Sequence, residues 1–158
     1  MQKITPCLWF NFNAEEAVEH YLGVFKSGRV LRTLRYGDQH PDLQGQVLMI
    51  EFELEGQRFQ ALNGGPQFPF TEAISLSVDC SNQAEVDALW HKLIAGGGQP
   101  SACGWLRDRF GLSWQIVPQA LVSMLNDPDA AKASRAMQAM LKMSRIEIAA
   151  IERAFNGD

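Results

Sequence analysis

The chain has 158 residues, 46% of them apolar, enough for one compact domain with a sizeable core. Its formal net charge of −4 and pI near 5.4 argue against a nucleic-acid partner, which needs a basic face. No apolar run approaches the roughly 20 residues of a membrane span, and the first residues, MQKITPCLWFNF, lack the charged region and apolar core of a signal peptide.

Cys7, Cys80 and Cys103 are an odd number of cysteines, with no CxxC pair and no histidines at ligand spacing. The expectation is therefore a soluble, cytoplasmic protein with reduced thiols. Ile4 to Phe12 alternates and is aromatic-rich, the pattern of a half-buried strand. Asn13, followed three residues later by Glu16, predicts a capping box for a helix that runs to about Phe25. Gly28 opens a strand from Arg29 to Tyr36, and a polar loop follows from Gly37 to Gln46. Val47 to Leu54 alternates strictly, with Glu51 and Glu53 facing one way and Ile50 and Phe52 the other. Glu55-Gly56 turns the chain into Gln57 to Leu62, and Asn63-Gly64-Gly65-Pro66 ends the unit.

The order β-α-β-β-β then repeats. Ala73 to Cys80 reads as a strand, and Asn82 with Glu85 repeats the capping arrangement. A helix from about Gln83 to Ala95 stops at Gly96-Gly97-Gly98, and a short strand is expected near Gln99 to Ala102. The segment CGWLRDRFGLSWQIVP, Cys103 to Pro118, reads as a hairpin: a strand through Trp105, a turn at Asp108 to Gly111, and a strand from Leu112 to Val117. Asp108 is read as a turn-former, and Pro118, lacking an N–H, ends the ladder. From about Leu121 the pattern is helical. Asp127-Pro128 predicts one helix start, with an apolar stripe through Ala133, Met137, Met140 and Leu141; Ser144 with Glu147 predicts another. These readings give an α+β chain in one domain over 1–158: module one at about 1–66, module two at about 72–119 and a helical tail at about 120–158.

The paired units resemble the vicinal-oxygen-chelate superfamily, which includes glyoxalase I, bleomycin-resistance proteins and extradiol dioxygenases. More closely, LWFNFNAEEAVEHY, FQALNGGP, AISLSVDC and CGWLRDRFGLSWQIVP resemble the PhnB-like branch, whose members often carry a 3-demethylubiquinone 3-methyltransferase label. The likeness spans nearly the whole chain, helical tail included. It implies two βαβββ modules, each a half-barrel around a cavity, in a homodimer.

In metal-dependent members of that superfamily, four side chains from the first and last strands of each module, typically histidine and glutamate, hold a divalent ion. Carried onto this chain, those positions fall on Pro6, Gln60, Ala73 or Ile74, and Gln115. A neutral amide is a poor replacement for a carboxylate, and proline and alanine offer no side-chain donor. The resemblance therefore implies a dismantled metal site, with no metal and no cofactor. His20 and His91 fall on helices, outside the sheets. His40 lies in the loop GDQHPD between Asp38 and Asp42, a trio whose ordinary reading is a polar loop.

Gln60 and Gln115 occupy corresponding last strands of the two modules. They either orient a neutral polar ligand in an apolar pocket or satisfy each other and the backbone. Trp9, Trp105 and Trp114 are further candidates for a pocket wall, against the ordinary role of core packing. Methyl transfer is not expected: the densest glycine cluster, Gly96 to Gly98, follows a helix, the wrong polarity for cradling a cofactor at a helix N-terminus. Two readings remain. One is a metal-independent module that binds a small molecule; the alternative is a lyase, isomerase or dioxygenase of the vicinal-oxygen-chelate type with a non-standard metal site.

Overall fold

The structure, a computed structural model, describes residues 2–158. They form two compact units, one ending at Phe70 and the other beginning at Thr71. In the first unit β1 (Cys7–Phe10), α1 (Ala14–Val24), β2 (Gly28–Arg35), β3 (Val47–Leu54) and β4 (Gln57–Asn63) follow in the expected order. Their sheet runs β1-β4-β3-β2, with β1 parallel to β4 and the other neighbours antiparallel.

Alternation along these strands divides the sheet into two unlike faces. The row Leu8, Ala61, Ile50, Thr33 and the neighbouring Phe59 and Phe52 lie on one of them. This face packs beneath α1, whose Ala14, Ala17, Val18, Tyr21 and Val24 are all buried. Burying each such Val, Leu or Phe side chain contributes about 1.5–3 kcal/mol, so this layer is the core of the unit. The opposite face carries Gln60, Glu51 and Glu53, none of which is fully buried.

The expected capping box at Asn13 is not made. Asn13 has φ −120° and ψ 26°, and its side chain makes no cap hydrogen bond. Asn63, at the far end of β4, replaces it: Oδ1 accepts from Ala14 N at 2.9 Å. Asn63 Nδ2 donates to Glu15 Oε1 at 2.7 Å and to Val47 O at 3.0 Å, while Tyr36 Oη donates to the Asn63 carbonyl at 2.5 Å. One buried asparagine thus ties the start of α1 to the start of β3 through its side chain, and to the chain leaving β2 through its carbonyl. Glu15 and Glu16 in the first helical turn add the favourable charge for a helix N-terminus.

The second unit repeats the plan with β5 (Ser75–Cys80), α2 (Gln83–Ile94), β6 (Gln99–Pro100), β7 (Trp105–Arg107) and β8 (Ser113–Pro118), in the sheet order β5-β8-β7-β6. Here the cap forms: Asn82 Oδ1 accepts from Glu85 N at 2.9 Å. The Glu85 carboxylate reaches one residue further back than expected, to Ser81 N at 2.8 Å. The hairpin turn is also as read. Asp108 Oδ1 accepts from Phe110 N and Leu112 N at 2.9 and 3.0 Å, and Gly111 has φ 93°.

Pro118 closes the ladder opposite Cys80, and α3 (Gln119–Leu125) starts at the next residue. It is followed by α4 (Ala130–Met140) and α5 (Ile148–Asn156). Two expected helix starts are corrected. Asp129, not Asp127, caps α4 through Ala131 N and Lys132 N; Asp127 instead accepts from Asp129 N in a preceding turn. Ser144 does not cap α5, because its hydroxyl donates to Ser101 O at 2.6 Å, and Gln83 Oε1 accepts from Ile148 N at 2.8 Å in its place. The buried stripe of α4 is also rotated. Ala136 packs with Leu121, Met124, Ile146 and Ile151, leaving Met137 and Leu141 exposed. The tail is held to module two by Arg145 on Asp87 at 2.9 Å and by Cys103 N and Gly104 N donating to Met143 O and Ser144 O.

Asn63→Ala removes a cap and leaves the Ala14 N–H and Val47 C=O buried without partners. The expected loss is about 2–3 kcal/mol, read as a fall in the urea midpoint. A loss below about 0.5 kcal/mol, the size of an ordinary surface change, contradicts this role.

Candidate functional site

Register arranges the open face of the first sheet into three rows. Cys7, Gln60, Glu51 and Arg32 stand opposite one another across β1, β4, β3 and β2. Two residues along each strand, on the same face, lies the apolar row Trp9, Leu62, Met49 and Leu34. On the other flank are Arg58, Glu53 and Arg29. The central row is polar and its carboxylate is largely enclosed: Glu51 is 14% exposed, with Arg32 Nη2 at 2.8 Å from Oε1 and Arg58 Nη2 at 3.9 Å from Oε2. Arg29 Nε stands 3.8 Å from Glu53 Oε1.

Trp9 is held at the edge of this face by the turn after β4. Its indole Nε1 donates to Gly65 O at 2.9 Å, and its ring lies so close over Gly64 that a Cβ there would fall 2.3 Å from the ring. Only glycine permits that approach. Phe68 meets the indole edge-on, with ring centroids 4.9 Å apart. The dipeptide Gly64-Gly65, read in the sequence only as a stop signal, is therefore also the seat of the tryptophan.

In the second sheet, Gln115 lies opposite Ser77 on β5 and Trp105 on β7. Its amide nitrogen donates to Ser75 Oγ at 2.9 Å. Gln115 and Trp105 thus share a half-exposed face, as Gln60 and Trp9 do in the first sheet. Trp114 does not join them. Adjacent strand residues point to opposite faces, so Trp114 turns into the core on the α2 side, 2% exposed, and donates its Nε1 to Asp108 Oδ2 at 2.9 Å. As a pocket-wall residue Trp114 is corrected; it ties the hairpin turn to the core.

The positions that the resemblance implies for the metal ligands carry Pro6, Gln60, Ala73 or Ile74, and Gln115, and the side chain that meets Gln115 is Ser75. Neutral amides and a hydroxyl do not suit a divalent ion that those enzymes bind with imidazole and carboxylate. Among the described residues no group of three or more His, Cys, Asp and Glu side chains is placed to hold a metal. The Asp38, His40, Asp42 trio does not gather into a site either; His40 is exposed, its ring edge-on to Tyr36. His20 is half-buried beside Tyr21 on α1, and His91 on α2 donates from Nδ1 to Asp87 O at 2.7 Å.

Neither Cys80 nor Cys7 is a poised nucleophile. Burial, with the nearby Glu85 and Asp79 carboxylates, pushes the Cys80 thiol up to about 12. Cys7 is exposed as a residue, yet the protein around its sulfur raises that thiol as well. Arg32, Arg58, Glu51 and Ser75 were not singled out from the sequence. The alternation of Glu51 and Glu53 against Ile50 and Phe52 was visible, but which arginines stand opposite them depends on strand register.

The paired βαβββ modules have the architecture that the resemblance to the vicinal-oxygen-chelate superfamily implies. Residues 2–117 match the family described as 3-demethylubiquinone-9 3-methyltransferase, and the chain belongs to that family, in its PhnB-like form. A PhnB protein from Bacillus cereus is 35% identical, over 74% of this chain and 99% of that one, with a TM-score of 0.67. Protein PA1353 from Pseudomonas aeruginosa, 24% identical over 75% of this chain and 98% of that one, shares the fold with a TM-score of 0.60. No curated protein matches the chain. The expectation that the likeness takes in the helical tail is corrected, because the family match stops at residue 117, before α3. No helix among the described residues is long and apolar enough to cross a membrane.

Labelling of the native protein with iodoacetamide at pH 8, followed by peptide mass spectrometry, is expected to leave Cys80 unmodified until denaturant is added. Rapid native labelling of Cys80 contradicts the raised thiol. The sign for stability follows from linkage: the unfolded thiol titrates near 9.0 and the folded one near 12, so the unfolded state loses its proton first. This contribution is whole below pH 9 and falls as pH rises from 9.0 towards 12.

Proposed function

We propose that this protein binds a small molecule on the open faces of its sheets and does so without a divalent metal. The observation that carries the reading is the inequality of the faces. Each sheet packs one face under a helix and leaves the other half-exposed, lined with glutamine, tryptophan and, in module one, charged side chains. A sheet face that joins apolar side chains to a few oriented polar groups suits ligand capture. Gln60 and Trp9 on one sheet, and Gln115 and Trp105 on the other, supply amide groups and aromatic surface of that kind.

The alternative, a metal-dependent lyase, isomerase or dioxygenase, needs strong ligands at positions that here carry Pro6, Gln60, Ala73 or Ile74, and Gln115. The family's description names a methyl transfer, and we do not extend that activity to this chain. Gly96 and Gly97 take positive φ immediately after α2, and Gly98 N donates to Ile94 O at 2.8 Å. They terminate a helix, whereas a cofactor cradle needs glycines that open one. The two antiparallel-rich sheets also lack the parallel, doubly wound strands that carry such a cradle.

Calorimetric titration with zinc, nickel and manganese salts, and separately with S-adenosylmethionine, is expected to give no saturable heat. One tight metal site per chain would overturn the metal-free reading. Saturable S-adenosylmethionine binding would restore the methyltransferase.

A further inference from the structure

Resting on the small-molecule reading above, we infer that the open face of the first sheet selects an amphiphilic anion: a flat apolar body carrying one carboxylate or other singly charged acid group. The inference comes from the juxtaposition of the rows. Trp9, Leu62, Met49 and Leu34 form an apolar band across all four strands. Beside it Arg32 and Arg58, from the strands flanking β3, converge on the single Glu51 carboxylate.

Charge decides the sign of the head group. The face carries four guanidiniums, Arg29, Arg32, Arg35 and Arg58, against two carboxylates, Glu51 and Glu53, which leaves two positive charges. The chain as a whole has a net charge of −4, so this excess is local. Glu51 is 14% exposed and cannot itself turn towards solvent, whereas the side chains of Arg32 and Arg58 are 67% and 38% exposed. The enclosed carboxylate fixes the two cations in place, and each guanidinium keeps N–H donors for a second anion. Arg58 suits this best, because at 3.9 Å its grip on Glu51 is the looser of the two.

The apolar row fixes the body of the ligand. Trp9 is immobilised by Gly65 O and Phe68, which gives a preformed wall, and Met49 adapts to the shape laid against it. Gln60 stands between Cys7 and Glu51 in the polar row, where its amide can meet a carbonyl or hydroxyl near the head group.

The test compares two fluorescent probes with closely similar aromatic bodies on the intact protein: anilinonaphthalene sulfonate, an anion, and N-phenylnaphthylamine, which is neutral. The wild type is expected to bind the anion about tenfold more tightly, with an affinity that falls as salt rises, while the neutral probe is insensitive to salt. Arg58→Met and Arg32→Met are each expected to remove most of that preference and leave the neutral probe unchanged; Arg153→Met, on α5, is expected to keep it. Unchanged binding of the neutral probe also shows that the variants fold. Equal affinity for the two probes, or a preference that survives both substitutions and high salt, overturns the anion assignment while the small-molecule reading stands. Failure of the wild type to bind either probe overturns both.

Discussion

Module one depends on a buried amide. Asn63 accepts from the first N–H of α1, donates to Glu15 and to the first strand residue of β3, and receives the Tyr36 hydroxyl on its carbonyl. At 2% exposure Asn63 has no water to fall back on, so its bonds must be made within the protein. The consequence is directional. With α1 held at that corner of the sheet, Leu8, Ala61, Ile50 and Phe52 are covered, and Gln60, Glu51 and Arg58 are left open. Asp108 plays the matching part in module two, where it fixes the hairpin turn and the indole of Trp114 together.

From that division follows what each face can do. The covered faces are apolar and provide most of the folding free energy. The open face of the first sheet holds ion pairs that add little stability, since exposed pairs contribute only about 0–1 kcal/mol each. Side chains that contribute so little to folding are free to serve binding, and a rigid sheet holds them in register. The groups available there are amides, guanidiniums and a fixed indole, with no carboxylate–imidazole cluster among the described residues.

Much of this was legible in the sequence, for identifiable reasons. The repeat showed because period-two alternation in Val47 to Leu54 and the helix spacing after Asn82 are local patterns. The turn at Asp108 to Gly111 showed because its residue types have few other uses. Helix caps were less legible. Asn13 and Asn63 are equally plausible by type, and only the fold brings residue 63 to the start of a helix at residue 14. Gln83 displaced Ser144 at α5 in the same way, across 65 residues of chain.

The open faces show the same boundary. Gln60, Gln115, Trp9 and Trp105 could be picked out singly, and the fold places each on an open face. Trp114 was misplaced because it differs from Gln115 by one residue, which on a strand is a change of face. The Arg32, Glu51, Arg58 cluster was out of reach, because it joins three strands whose register, including the irregularity between Val30 and Arg32, no local pattern encodes. The central proposal is that these open faces hold an organic molecule and no metal. Native mass spectrometry of gently purified protein, comparing intact with denatured mass, tests it most directly. The account predicts an organic mass that is released on denaturation; a divalent metal retained at one per chain, with no organic molecule, would contradict it.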